Sequence, residues 1–214
     1  MDSLAILLGF KYSGSRILPY VDRDLDMMSK FATHSGFPVE TITDFTMDIR
    51  LYAEDMLEGL HGYQFISLAD LLFRLQQLIY GKKKILFYYS GHSEDNSLIL
   101  PSGEHLDSRI LTSLLTQDSP NILAFFDCCY GVGLSLPFVL KDGKMRYTGE
   151  VMVSGKVISI NGTSKDKRAE MDSFGSSFTY RISNEPAFRK KVICLSSLGF
   201  LTMTSSSPDG EFSF

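Results

Sequence analysis

Apolar residues recur along this chain in two rhythms. Residues 4–10 are nearly all apolar, the mark of a strand covered on both faces. Val21, Leu25, Met28 and Phe31 then follow at helical spacing with acidic residues between them, which predicts an amphipathic helix closing near Gly36-Phe-Pro38. Residues 39–43 alternate as a second strand. Ser67 opens a helix whose apolar face is Leu68, Leu71, Leu72, Leu75, Leu78 and Ile79. The run from Ile85 is a third strand. "NSLILPSGEHLD" is a strand-like fragment turning at Pro101-Ser-Gly103, and Asp107 caps a helix carrying Leu111, Leu114 and Leu115. A run of the same design as that from Ile85 starts at Asn121. Residues 151–160 are strand-like, 176–182 and 187–191 helical, and 194–204 apolar again. Residues 45–66 show no readable period. Strands alternating with helices predict an α/β fold around a mainly parallel sheet, and with neither repeat nor linker the expectation is a single domain over 1–214.

Composition narrows the function. The chain is 44% hydrophobic and 21% charged, an ordinary globular balance. Its net charge of −4 is spread over both signs, and the basic triplet Lys82-Lys-Lys84 is read as a solvated turn. Without a basic stripe to displace counterions, a nucleic-acid partner is not expected. Neither a signal peptide nor a run of roughly 18 apolar residues stands out, so no membrane association is expected and the cytoplasm is the default location. The sequon Asn161-Gly-Thr163 carries no weight without an export signal. Three cysteines, two of them adjacent, suit neither a disulfide framework nor a metal site.

Two of the apolar runs end alike. "ILFYYSGHSEDN" delivers His92 and "NILAFFDCCYG" delivers Cys128 and Cys129. In parallel sheets, reactive groups gather beyond the carboxyl ends of the strands, and sequential strands often pair. A thiolate is a strong nucleophile, and an imidazole can take its proton and later return it to a leaving amine. His34, His61 and His105 sit in loop-like surroundings, and Cys194 reads as core. The competing reading makes the cysteine at the strand end a small buried hydrophobe and the histidine a satisfied polar group.

"YYSGHS" followed by "FFDCCYG" resembles the paired active-site motifs of metacaspases, within the caspase-like cysteine peptidases. "AILLGFKYSGSRILPYVDRDLDMM" is similar to the opening strand and helix of that family, "ISINGTSKDKRAEMDSFGSSFTYRI" to its later strand and helix, and "MTSSSPDGEFSF" to its closing segment. The resemblance implies a caspase-like fold, a central, mostly parallel six-stranded sheet flanked by helices. It implies a large-subunit-like part over 1–133, a connecting segment over 134–150 and a small-subunit-like part over 151–214. His92 becomes the general base and Cys129 the nucleophile, with Cys128 at the variable middle position. The N–H groups of Ser93 and Cys129 become the oxyanion hole.

The same resemblance makes Asp24, Ser90 and Asp127 the substrate-binding residues, whose carboxylates favour cleavage after Arg or Lys. It implies protein or peptide substrates, a monomer, and no cofactor for the chemistry. Calcium activation is an open expectation, with Glu94, Asp95 and Asp107 as candidate ligands. Lys141, Lys144 and Arg146, in a segment read as flexible, are candidates for self-cleavage, the alternative being a hairpin with solvated lysines. Two departures stand out: Ser93 in place of a glycine, and "CCYGVG" without the usual His-Ser-Gly. They leave open a weak or silent module that binds partners. A flavin binder using "YGVG" as a phosphate loop lacks the required glycine spacing.

Overall fold

The strand periods resolve into one large sheet in the computed structural model, which describes residues 2–44, 65–118, 120–141, 144–163, 171–172, 175–185, 192–194 and 202–213. In chain order the elements begin β1 (Ser3–Gly9), α1 (Val21–His34), β2 (Val39–Ile42), α2 (Leu68–Ile79) and β3 (Lys84–Ser90). A small three-stranded sheet follows, β4 (Ser93–Glu94), β5 (Ser97–Ile99) and β6 (His105–Asp107). Then come α3 (Ser108–Thr116), β7 (Asn121–Asp127), β8 (Phe138–Lys141), β9 (Lys144–Tyr147) and β10 (Val157–Asn161). The last part holds the pairs β11 (Met171–Asp172) with β12 (Gly175–Ser176) and β13 (Val192–Cys194) with β15 (Glu211–Ser213), together with α4 (Ser177–Asn184) and β14 (Thr202–Ser205).

The central sheet runs β2-β1-β3-β7-β10-β14-β8-β9. Its first five strands are parallel, and β14, β8 and β9 continue in antiparallel steps. Among the described residues this makes eight strands where six were expected. The extra pair is β8–β9, built from the connecting segment that the sequence presents as flexible. Phe138 and Val139 pair with β14, and Lys141 lies opposite Lys144. Alternating Phe138-Val-Leu140 and Met145, Tyr147 is a strand pattern in short form, obscured by the surrounding Gly and Lys.

Side-chain parity sets the layers. Ile85, Phe87 and Tyr89 of β3, with Ile122, Ala124 and Phe126 of β7, face a core shared with Leu71, Leu75 and Ile79 of α2 and Leu111 and Leu115 of α3. Leu86 and Tyr88, with Leu123 and Phe125, face Val21, Leu25, Met28 and Phe31 of α1 and Phe178 and Ile182 of α4. Both faces of β3 and β7 are therefore covered, which is why these strands read as unbroken apolar runs. The helix starts are capped as the sequence suggests: Ser67 Oγ accepts the Asp70 N–H at 3.1 Å, and Asp107 Oδ1 accepts the Arg109 N–H at 2.7 Å. The predicted helix over 187–191 lies outside the described residues, as does most of 45–66. The strand expected over 151–160 begins only at Val157.

Candidate active site

β3 and β7 are parallel neighbours in a register that sets Ser90 opposite Asp127. His92 and Cys129 each lie two residues past that pair, on strands separated by ~4.8 Å, and so leave the sheet at the same level of the same rim. The segments they open touch directly: the Ser93 hydroxyl donates to the Cys129 carbonyl at 2.5 Å.

His92 is fixed at its backbone and at its ring. Its N–H donates to the Tyr12 hydroxyl at 2.8 Å, and its carbonyl accepts from the Tyr89 hydroxyl at 2.5 Å and the Ile99 N–H at 3.0 Å. Nε2 lies 2.7 Å from the Arg16 carbonyl. A carbonyl only accepts, so Nε2 carries the proton and the neutral ring keeps its lone pair on Nδ1. The Tyr12 ring packs on the imidazole with centroids 4.5 Å apart. Gly91 is required by this crowding, since a Cβ there would stand 2.5 Å from the Tyr89 hydroxyl and 2.8 Å from that of Tyr12.

The two cysteines point into different surroundings. Cys128 is buried, its thiol directed at the Val132 carbonyl at 3.5 Å, and burial pushes that thiol far up. Such a group stays protonated and inert. Cys129 is half-buried and opens a short turn, Cys129–Gly131, in which Tyr130 takes a left-handed backbone (φ 58°). β10 and the residues just beyond it hold that turn from behind. The Thr163 hydroxyl donates to the Cys128 carbonyl at 2.8 Å and accepts the Gly131 N–H at 2.9 Å, while Asn161 Nδ2 donates to the Gly131 carbonyl at 2.7 Å. Gly133 packs against the same group: a Cβ there would meet Asn161 Oδ1 at 2.4 Å. The glycines of "YGVG" thus serve the turn and its packing. Ser93 has no positive φ, so its Cβ costs nothing in backbone strain.

Asp24, Ser90 and Asp127 meet on the α1 and α4 side of the sheet, as parity dictates for 90 and 127. They meet in the interior, however. Asp24 is fully buried and Asp127 is 5% exposed. Asp24 accepts the Ser176 N–H at 2.9 Å and the Ser90 hydroxyl at 3.3 Å; Asp127 accepts the Thr179 hydroxyl at 2.5 Å, and Thr179 faces the Tyr88 hydroxyl at 2.6 Å. Burial raises Asp24 to about 7, aided by the charge of Asp127 and opposed by the bonds from Ser176 and Ser90. Asp127 is also raised by burial, against the bonds from Ser176, Thr179 and Tyr88.

Of the calcium candidates, Glu94 and Asp95 line one pocket with Asn96 and Tyr130, but with Asp107 they form no three-carboxylate cluster. Asp107 is engaged as the α3 cap, while Asp95 and Asn96 form the tip of the β4–β5 hairpin, both with positive φ. Among the described residues no group of three or more His, Cys, Asp or Glu side chains is arranged to hold a metal. Lys141, Lys144 and Arg146 lie far along the sheet on β8 and β9. His34 holds the Lys30 carbonyl at the end of α1, His105 lies exposed on β6, and His61 is outside the described residues. The residues that sequence reasoning missed are supporting ones. Arg16 acts through its carbonyl, which has no sequence signature. Tyr12, Asp44, Thr163, Asn161 and Ser176 sit in loops or strand ends, where no periodicity marks them, and Thr179 lies in the first turn of α4.

Comparison with known proteins agrees with this architecture. The model of the caspase domain family matches residues 2–209. Among solved structures, caspase-1 from Spodoptera frugiperda superposes with a TM-score of 0.56 at 15% sequence identity, covering 87% of this chain and 69% of that chain. At that identity the likeness is one of fold. No curated protein matches the chain. No described helix is long and apolar enough to cross a membrane.

Proposed function

The chain belongs to the caspase domain family of cysteine peptidases, and on that footing we propose that it is an endopeptidase working through a Cys129–His92 dyad. The observation that carries this reading is the β3–β7 register, which brings the ends of both strands to one rim. Nδ1 of His92 takes the thiol proton, and the Cys129 sulfur attacks the scissile carbonyl carbon. The N–H groups of Ser93 and Cys129 receive the oxyanion. Collapse of the tetrahedral species breaks the C–N bond, the imidazolium returns its proton to the leaving amine, and water then releases the acyl group by the reverse sequence. A reducing compartment, the cytoplasm, suits a free thiol with a second cysteine beside it.

Substrates with Arg or Lys before the scissile bond fit the carboxylate pair best. Asp24 and Asp127 have raised affinities for protons because they are buried together, and a guanidinium reaching them would supply the missing positive charge. Glu94, Asp95 and Asp107 do not fit a calcium site by their positions, and no step depends on one.

One observation favours the alternative, a weak or silent caspase-like module: both carboxylates already hold donors from Ser90, Ser176 and Thr179. A peptide library cleaved by wild type, Cys129→Ala and His92→Ala, with and without calcium, separates the two. Cleavage after Arg or Lys that vanishes in both variants is expected. Cleavage after Asp would refute the specificity, and equal rates in wild type and Cys129→Ala would refute the dyad.

A further inference from the structure

The loop that follows β1 grips His92 from two sides, and its own shape is imposed from elsewhere. Arg16 supplies the carbonyl for Nε2 and Tyr12 supplies both the hydroxyl for the backbone N–H and the ring against the imidazole. Tyr12 holds φ at 59°, a left-handed conformation that is uncommon for a bulky residue. It is kept there by Asp44, two residues past β2, whose two carboxylate oxygens accept the Lys11 N–H at 2.7 Å and the Tyr12 N–H at 3.0 Å. Asp44 is 6% exposed and Tyr12 is 7% exposed. A buried carboxylate spent on two backbone donors, and an unfavourable backbone spent on one tyrosine, are costs that packing alone does not explain. A phenylalanine would fill the same core.

The hydroxyl accounts for them. It accepts from the His92 N–H at 2.8 Å and donates to the Ile99 carbonyl at 2.6 Å, while standing 3.1 Å from the Tyr89 hydroxyl. Tyr89 in turn donates to the His92 carbonyl. Two phenol groups therefore hold the two peptide groups of one residue, from opposite elements, in a site with no slack for a Cβ at Gly91. We propose that Tyr12 and Asp44 are positioning residues for His92: Asp44 sets the loop, and the loop sets the height, tilt and tautomer of the imidazole. The proposal rests on the dyad reading, and it adds that the base is aimed through a residue just past β2.

The test compares wild type, Tyr12→Phe, Asp44→Asn and Cys129→Ala, each checked for its melting temperature. Tyr12→Phe keeps the ring and removes only the hydroxyl. It is expected to lower kcat about tenfold, the worth of one neutral hydrogen bond, with KM within about twofold because substrate contacts are untouched. Nitrogen-15 NMR of the His92 ring is expected to show a single Nε2–H tautomer in wild type and a mixture in both variants. A folded Tyr12→Phe protein with kcat within about twofold of wild type and an unchanged tautomer overturns the proposal. Should wild type and Cys129→Ala prove equally inactive, the dyad reading fails by itself, and the ring tautomer still decides whether Tyr12 and Asp44 position His92.

Discussion

Cys128 and Cys129 are neighbours in sequence with opposite chemistry, and the difference comes from which side of the rim each side chain takes. Cys128 continues the parity of Phe126 into the core shared with α2 and α3 and loses its acidity to burial. Iodoacetamide is therefore expected to alkylate Cys129 and spare Cys128 in the folded protein. Cys128→Ala should retain activity while costing about 1 kcal/mol of stability for the lost sulfur contacts; peptide mapping and denaturant titration check both. Asp24 offers a pH signature. Its carboxyl is raised from 3.8 to about 7 by burial and by Asp127, so the folded state binds that proton more tightly than the unfolded chain does. The resulting stabilisation is full below pH 3.8 and is lost as pH rises through about 7. Asp24→Asn should flatten the fall in stability between those limits. For arginine substrates, kcat/KM of wild type should climb with ionisation of Asp24, near pH 7. An arginine-substrate profile unaltered in Asp24→Asn would remove that residue from substrate binding.

At the scale of elements, two local packings decide whether the rim keeps its shape. Gly91 lies where β3 gives way to the phenol cluster, and Gly91→Ala would force a Cβ into hydroxyl oxygens 2.5 and 2.8 Å away. Overpacking of this kind costs about 1–3 kcal/mol, and because the displaced atoms hold His92, the loss of kcat should exceed what the melting temperature suggests. The β8–β9 hairpin bears on self-cleavage. Lys141 and Lys144 are paired across a two-residue connection, while a peptidase needs an extended substrate. Cleavage at Lys141, Lys144 or Arg146 therefore requires β9 to separate from β8 first. Phe138 and Tyr147 face each other across the pair at 5.8 Å, so Phe138→Ala should loosen it. Mass spectrometry is expected to find slow fragmentation of wild type, faster fragmentation of Phe138→Ala, and none when Cys129→Ala is added. Fragments that persist without Cys129 would point to a contaminating protease.

For the molecule as a whole, the legible parts of the sequence were those written in periodicity. The runs at 85–89 and 122–126 announced buried parallel strands, and Ser67 and Asp107 announced helix starts that the structure confirms at the hydrogen-bond level. What stayed hidden was the work of backbone groups and loops: the Arg16 carbonyl, the left-handed Tyr12, and a short hairpin that extends the sheet to eight strands among the described residues. That hairpin bears on assembly. Among the described residues it makes β9 an edge of the central sheet, a place where a second copy could add its own strand. β9 spans only four residues, Lys144–Tyr147, with Lys144 and Arg146 exposed. An antiparallel pairing of two such edges about a dyad would set cationic side chains of one copy beside those of the other, and like charges directly opposite destabilise a strand pair. At the far edge, β2 is equally short and exposes Glu40 beside Thr41, so the same argument holds there with the opposite sign. A monomer is therefore expected, and light scattering should return 24.0 kDa across a wide concentration range. Replacing Lys144 and Arg146 together by Thr should promote dimers; a wild type already dimeric at low concentration would overturn the monomer expectation.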